Sequence, residues 1–219
     1  MLRHLGQVAR EEDHPGLDFI RLADDIFHIN GSRGRHVCFA SKPQGVSVRS
    51  LQESYENGVL PKLLVKSLIH RLLFAINWLH GNCSVIHIGT QYVLAVDVVA
   101  ANRVADISPQ NVLTEAGDDT VFRLMEERES QEPSPSRQTE EGFIYPSRAA
   151  ISVLSGTPIL TDFGQMRFAE PINSGWCMPD LYRAPEVLLQ LPWDYPVDLW
   201  SVGIMVSMCV SPSMRQSWC

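Results

Sequence analysis

The clearest periodic pattern in the chain is an apolar stripe between Leu60 and His80. Its members recur every three or four residues, at Leu64, Leu68, Leu72, Ile76 and Leu79. Pro61 falls in the first turn of this stretch and Gly81 lies just past its end, which are favourable positions for the two residues. The pattern predicts an amphipathic α-helix of about five turns.

Shorter patterns lie on either side of this helix. Residues 24–40 contain two β-prone runs around a glycine-containing turn at 30–34, which predicts a hairpin. The apolar run 158–161 predicts a short buried strand, and 197–210 predicts a central helix that is apolar on most faces. Residues 115–142 turn acidic and rich in Pro and Ser, as in a solvated loop or a short helix followed by a flexible segment.

Composition and charge indicate a globular domain and exclude some classes of binding partner. The chain has 219 residues, of which 45% are hydrophobic and 20% charged, enough for one domain with a substantial core. The formal net charge of −7 gives no general attraction to phosphate backbones, and no local basic patch is visible. Direct binding to nucleic acid is therefore not expected.

Cysteine spacing and hydropathy bear on the compartment. The five cysteines show no CxxC spacing, which fits a reducing compartment better than a disulfide framework or a zinc site. The first residues lack the apolar run of a signal peptide, and no uncharged stretch reaches the ~20 residues that span a bilayer. We expect a soluble intracellular protein of the cytoplasm or nucleus, without membrane contact.

Three short motifs follow one another in a fixed order. They are Asp106-Ile-Ser-Pro-Gln-Asn111, Asp162-Phe163-Gly164 and Ala184-Pro185-Glu186, and the run Asp198-Leu-Trp-Ser-Val-Gly203 comes after them. Each motif alone is weak evidence, but the ordered set resembles the large lobe of eukaryotic protein kinases. Phosphoryl transfer depends on positioning a polyanion and its magnesium ions, for which carboxylate and amide oxygens are suitable ligands.

The resemblance implies roles for individual residues. Asp162 would chelate the magnesium that bridges the ATP phosphates, Asn111 would hold the second metal, and Asp106 would orient the substrate hydroxyl. Leu113 would form an apolar floor beneath the adenine, and residues 39–44 would be the hinge between the lobes. Glu186 and Asp198 would be structural, and Glu186 would have its arginine partner beyond Cys219.

Further features resemble the kinases of serine/arginine-rich proteins, in particular fungal-type members. These features are His14-Pro15-Gly16, the Trp78-Leu79-His80 run before Val85-Ile86-His87, the acidic insert before Asp162, and Tyr182-Arg183. This family implies ATP and Mg²⁺ as cofactors and arginine/serine-rich proteins of RNA processing as substrates. A monomer is expected.

The chain departs from the kinase pattern in its phosphate-binding residues. The glycine-rich loop, the strand lysine that holds the ATP phosphates and the helix glutamate that pairs with it cannot be found. Ser108 stands where the family has a lysine that contacts the transferred phosphate. Loss of such a preorganised charge costs a factor of about 10²–10³ in rate.

A second departure interrupts the catalytic motif. Residues 88–105 separate His87 from Asp106 where the family has a single residue. The 17 extra codons keep the reading frame, which suggests a retained short intron, and a true loop insertion is the alternative. Transcripts without these codons would establish the intron. The inserted apolar, β-branched run is an aggregation hazard, and we expect it to displace His87.

The predicted fold is α+β and protein-kinase-like, truncated at both ends. Residues 1–44 would be a remnant of the small lobe with the hinge, and 45–219 a partial large lobe with an aberrant insertion at 88–105 and a family-type insert at 115–157. Three functional hypotheses stay open: an impaired protein serine/threonine kinase, a non-catalytic kinase-like fragment that binds partners, and the product of a faulty gene model.

Overall fold

Helices and short antiparallel strand pairs make up the described part of the chain. The structure is a computed structural model, and it describes residues 1–31, 34–88, 107–117, 119–139, 142–146 and 156–211. The helices are α1 (Leu2–Glu11), α2 (Val48–Glu53), α3 (Lys62–Gly81), α4 (Thr120–Gln131), α5 (Pro185–Leu188) and α6 (Pro196–Val210). The strands are β1 (Asp25–Gly31), β2 (Gly34–Ala40), β3 (Val85–Ile86), β4 (Val112–Thr114), β5 (Arg137–Thr139), β6 (Gly142–Ile144), β7 (Pro158–Leu160) and β8 (Arg167–Phe168).

Helix α3 is the longest element and supplies much of the main core. It confirms the helix predicted from the apolar stripe, since Leu68, Leu72, Ile76 and Leu79 are buried and Leu64 is half-buried. Residues of α1, α2 and α6 join the same cluster, among them Leu5, Leu51, Val202 and Met205. The apolar face of α3 is thus covered by segments from both ends of the described chain, and its burial is the principal stabilising term of the fold.

The backbone of a short 3₁₀ turn, Pro15–Phe19, lies directly on α3. A Cβ atom built on Gly16 would stand 2.2 Å from the backbone oxygen of Phe74. His14 holds the turn, because its Nδ1 accepts a hydrogen bond from Gly16 N at 2.9 Å and its Nε2 lies 3.1 Å from Oδ1 of Asn77. The Nδ1 acceptor requires the proton on Nε2, which therefore donates to the amide oxygen.

Strands β1 and β2 form the hairpin that the sequence predicts. The register runs from Asp25 opposite Ala40 to Gly31 opposite Gly34. Several of its apolar side chains remain exposed, with Ile29 at 51%, Val37 at 67% and Phe39 at 58% of full exposure. The hairpin is therefore held mainly by its own ladder rather than by a core of its own.

Helix α6 joins the main core to a second one. Val202, Met205 and Cys209 pack in the first cluster, whereas Val197 and Met208 pack in the second with Ile86, Ile88, Met178 and Trp193. Gln52 Nε2 donates to Met208 O at 2.6 Å, and Leu60 N donates to Cys209 O at 2.9 Å. Leu199 and Trp200 are about half exposed, so the helix is central on one side only.

The acidic stretch contains more regular structure than a plain loop. Helix α4 has no buried residue, in agreement with a solvated insert, and β5 pairs with β6 in a second small hairpin. The insertion before Asp106 lies outside the described residues except for Ile88, which is buried. Of the described helices, none has both the length and the apolarity needed to cross a bilayer.

Candidate functional site

The strand pair β4–β7 brings two predicted site residues together. Val112 pairs with Leu160 and Leu113 with Ile159, so Asn111, just before β4, and Asp162, just after β7, lie at the same end. Thr161 N and Thr161 Oγ1 both donate to Asn111 O, at 2.9 and 2.8 Å. Two hydrogen bonds thus hold the residue before Asp162 against the backbone of Asn111.

Asp162 has a left-handed backbone conformation, with φ 61° and ψ 64°. Such a conformation is unfavourable for a residue with a side chain and persists where the surroundings enforce it. Here the next residue, Phe163, is buried and opens a 3₁₀ turn, and its ring meets the His87 ring edge-on at 5.3 Å. Burial of Phe163 turns the exposed Asp162 side chain away from the core.

His87 supports this turn from beneath. It is fully buried, and its Nε2 donates to Thr161 O at 2.9 Å while its backbone N donates to Asp198 Oδ2 at 2.8 Å. Burial lowers the pKa of the His87 imidazole below its ordinary value of 6.5, so the ring is neutral at pH 7. The expectation that the insertion displaces His87 is wrong, because His87 keeps its buried hydrogen bonds with Thr161 O and Asp198.

Asp198 ties three segments to one carboxylate. Besides His87 N, its Oδ2 receives a hydrogen bond from His80 Nε2 at 2.8 Å, and Asp198 is completely buried. His80 comes from the last turn of α3, and the Tyr195 ring stacks on it at 4.5 Å. A buried carboxylate with two donors fixes the relative positions of α3, α6 and the chain at His87.

The turn before β4 fixes the approach to Asn111. Ser108 is buried, and its carbonyl accepts hydrogen bonds from Asn111 N at 3.0 Å and Val112 N at 3.2 Å. Arg49 N of α2 donates to Pro109 O at 2.9 Å. Asp106 lies outside the described residues, so its position beside Asn111 and Asp162 stays a prediction.

The connection from β2 to α2 runs along β4. Gly45 N donates to Thr114 O at 2.7 Å, Thr114 N donates to Val46 O at 2.8 Å, and Ser47 forms a bridge with Leu113. Leu113 is therefore next to the segment that leads out of the expected hinge. Of residues 39–44, Phe39 and Ala40 still belong to β2, and the rest is irregular.

A cavity of about 310 Å³ opens beside Asp162. Its walls come from the start of α1, the segment before β1, the end of β2 and the turn after β7, and they include Leu2, Arg21, Phe39, Thr161, Asp162 and Gly164. Among the described residues no cluster of three His, Cys, Asp or Glu side chains could hold a metal alone. One carboxylate and one amide fit Mg²⁺, which usually completes its shell with phosphate oxygens and water.

Comparison with known proteins shows that the chain is similar to protein kinases. A serine/threonine protein kinase of Aspergillus fumigatus is 31% identical over 210 residues, which cover 94% of this chain and 45% of the relative. A serine/threonine-protein kinase SRPK of Physarum polycephalum is 27% identical over 223 residues, covering 93% of this chain and 48% of the relative. SRSF protein kinase 3 of Sus scrofa is 32% identical over 143 residues, which cover 63% of this chain and 21% of the relative.

Over nearly its whole length the chain is homologous to serine/threonine protein kinases. Its relatives include kinases of the SRPK type, as the motifs predicted, and the chain spans less than half the length of the relatives above. No family model matches the sequence. The helices and small antiparallel sheets are compatible with a protein-kinase-like fold, and kinases as a family use ATP and Mg²⁺.

Three contacts of this candidate site have no local signal in the sequence. His80 was noted only as part of a family motif, yet it binds Asp198, which is 118 residues away. Thr161 was assigned only to a strand, although both its N–H and its hydroxyl bind Asn111 O. The sequence likewise gives no signal for Arg21, whose backbone N donates to Leu160 O at 3.0 Å. Periodicity cannot reveal such pairs, because they join residues that are distant in the chain.

Proposed function

We propose that this chain is a protein-kinase segment that binds Mg–ATP and supports transfer of the γ-phosphate to serine in arginine/serine-rich proteins. The observation that carries the proposal is the double hydrogen bond from Thr161 to Asn111 O, because it joins the two expected metal ligands at one end of β4–β7. Phosphoryl transfer requires this kind of positioning more than covalent chemistry.

The roles of the site follow from this proposal. Asp162 and Asn111 would hold Mg²⁺, which neutralises phosphate charge, and Asp106 would accept the proton of the substrate hydroxyl. Leu113 would lie beneath the adenine, which the contacts between β4 and residues 45–47 favour. In the same assignment residues 1–44 are small lobe and hinge, 45–219 are large lobe, and 88–105 and 115–157 are inserts.

The proposed substrate class rests on the similarity to SRSF-type kinases and on the net negative charge of this chain. One of the relatives is an SRSF protein kinase, and this chain carries a formal net charge of −7. A basic peptide is attracted to such a protein, and the attraction weakens as salt screens it. Arginine/serine-rich peptides are therefore the substrates of choice for a first assay.

Nucleotide binding is tested by thermal unfolding in increasing Mg–ATP. A ligand that binds only the folded chain stabilises it by about 2.7 kcal/mol at 100 times its Kd, so a saturable rise in Tm is expected. Asp162→Asn should abolish the Mg²⁺-dependent part of the rise, whereas Asp180→Asn, at an acidic residue that is 76% exposed, should retain it. A cooperative melt that Mg–ATP leaves unmoved would refute the proposal.

A non-catalytic binding role is the second candidate, and Ser108 favours it. A short neutral side chain is buried where the family has a lysine for the transferred phosphate. The two candidates differ in one assay, incorporation of labelled phosphate into an arginine/serine peptide with an alanine-for-serine peptide as control. Binding of Mg–ATP without incorporation supports the second candidate, and incorporation lost in Asp162→Asn supports the first.

A further inference from the structure

The cavity beside Asp162 contains one positive and one negative side chain. Of the described residues that line it, Arg21 is the cation and Asp162 the anion, and the other walls are mostly apolar. A guanidinium remains charged at every physiological pH. The same cavity thus offers an oxygen ligand for a metal ion and a fixed positive charge for an anion.

The backbone of Arg21 is fixed next to the strand that leads to Asp162. Arg21 N donates to Leu160 O at 3.0 Å, and Ile20 forms a parallel bridge with Leu160. Leu160 precedes Asp162 by two residues, so Arg21 and Asp162 start from neighbouring points of the same small sheet. Movement of one backbone relative to the other would break this pairing.

The side chain of Arg21 has an unused donor. Its Nε is buried and has no hydrogen-bond partner among the described residues, and no salt bridge within 4.0 Å joins its guanidinium to Asp162. A buried donor without a partner is costly, and a charged one especially so. Phosphate oxygens are the acceptors that arginine binds best, because a guanidinium can donate two parallel hydrogen bonds to them.

We propose that Arg21 is the phosphate-binding cation of this cavity and holds the phosphate oxygens of a Mg–nucleoside triphosphate whose metal ion Asp162 binds. The inference rests on the proposed nucleotide binding and deepens it. Arg21 would supply this charge from the segment that pairs with Leu160, directly beside the strand that leads to Asp162. No covalent step is involved.

The test measures binding of three probes, Mg–ATP, tripolyphosphate and adenosine, by titration calorimetry. Arg21→Gln should weaken Mg–ATP and tripolyphosphate by roughly 10- to 100-fold, the range of a charged hydrogen bond, and leave adenosine unchanged. Arg21→Lys should recover part of the loss. Arg128→Gln, on the exposed helix α4, is the matched control and should bind all three probes as the parent does. Thermal melts confirm that each variant folds.

The outcomes separate this inference from the proposed function. Unchanged Mg–ATP affinity in Arg21→Gln would overturn the role of Arg21 and leave nucleotide binding intact, as would an equal loss for adenosine. Tripolyphosphate binding that depends on Arg21 but not on Mg²⁺ or Asp162 would support the anion site and overturn the nucleotide proposal. A folded parent chain that binds neither Mg–ATP nor tripolyphosphate would overturn both.

Discussion

The Nε2 atom of the fully buried His87 donates a hydrogen bond to the backbone carbonyl of Thr161 at 2.9 Å. Thr161 in turn donates to Asn111 O, and Asp162 follows it directly. One buried imidazole therefore supports the backbone between the two expected metal ligands. Because His87 is itself held by Asp198, the geometry of the site depends on a buried polar network rather than on the exposed carboxylate alone.

Acid should destabilise the protein through His87. The buried ring has a pKa below 6.5, whereas the unfolded chain binds a proton near pH 6.5, so the unfolded state takes up more protons as the pH falls through this value. The free energy of unfolding should then fall by up to about 1.4 kcal/mol per pH unit below pH 6.5. Urea unfolding between pH 7.5 and pH 5 measures the slope.

The matched variant is His87→Gln, which keeps a side-chain donor without a titrating ring. The free energy of unfolding of this variant should be lower at pH 7.5. Its slope against pH should be smaller than that of the parent, by an amount that corresponds to about one bound proton. Equal slopes in the two proteins would show that other histidines cause the acid sensitivity.

Removal of the Asp198 carboxylate should be strongly destabilising. Asp198→Ala leaves the half-buried His80 ring and the buried His87 amide without their acceptor, and each lost partner costs about 1–3 kcal/mol. Asp180→Ala is the control. The Asp180 carboxylate pairs with Arg183 at 2.6 Å but is 76% exposed, so loss of this pair should cost less than about 1 kcal/mol. Chemical denaturation gives both values, and similar losses would contradict the assigned network.

Two glycines should respond to alanine in opposite directions. Gly16→Ala places a methyl group 2.2 Å from Phe74 O, so the turn must separate from α3, and we expect a loss of more than about 3 kcal/mol. Gly6 lies within α1 with open space around its Cβ position, so Gly6→Ala should stabilise the chain by up to about 1 kcal/mol. Thermal melts of the pair test the contact, and a tolerated Gly16→Ala would disprove it.

Thiol reactivity should report the folded core. Burial raises the pKa of Cys83 and Cys177 to about 12 and that of Cys209 to about 11, so these groups are protonated and slow to alkylate at pH 8. Cys38, half-buried on β2, should react first. Iodoacetamide labelling with peptide mapping, in a Cys219→Ser background, gives the order. Equal labelling of all four sites before unfolding would contradict the two core clusters.

Local patterns predicted local structure well. The stripe at 60–80, the turn at 30–34 and the apolar run 158–161 each specify an element from neighbouring residues, and α3, the β1–β2 hairpin and β7 confirm them. The family motifs also indicated Asn111, Leu113 and Asp162 as parts of one site. The structure places these residues on the paired strands β4 and β7 or at their ends.

The remaining features depend on contacts between distant residues. The pairing of His80 with Asp198 spans 118 residues, and neither residue has a local pattern that marks it. The position of His87 differs from the expectation for a related reason. Insertion next to a residue does not displace it when its hydrogen bonds, here to Thr161 O and Asp198, come from other segments of the core.

The hydrogen bond from Gln52 to Met208 O has a consequence for biosynthesis. The two partners are 156 residues apart in the chain. The hydrogen bond from Leu60 N to Cys209 O likewise cannot form until α6 has been synthesised. At the usual 5–20 residues per second a ribosome needs roughly 8–30 s to make the intervening chain. Throughout that interval α6 cannot cover the apolar face of α3, so this part of the core closes only after the last described helix has left the exit tunnel.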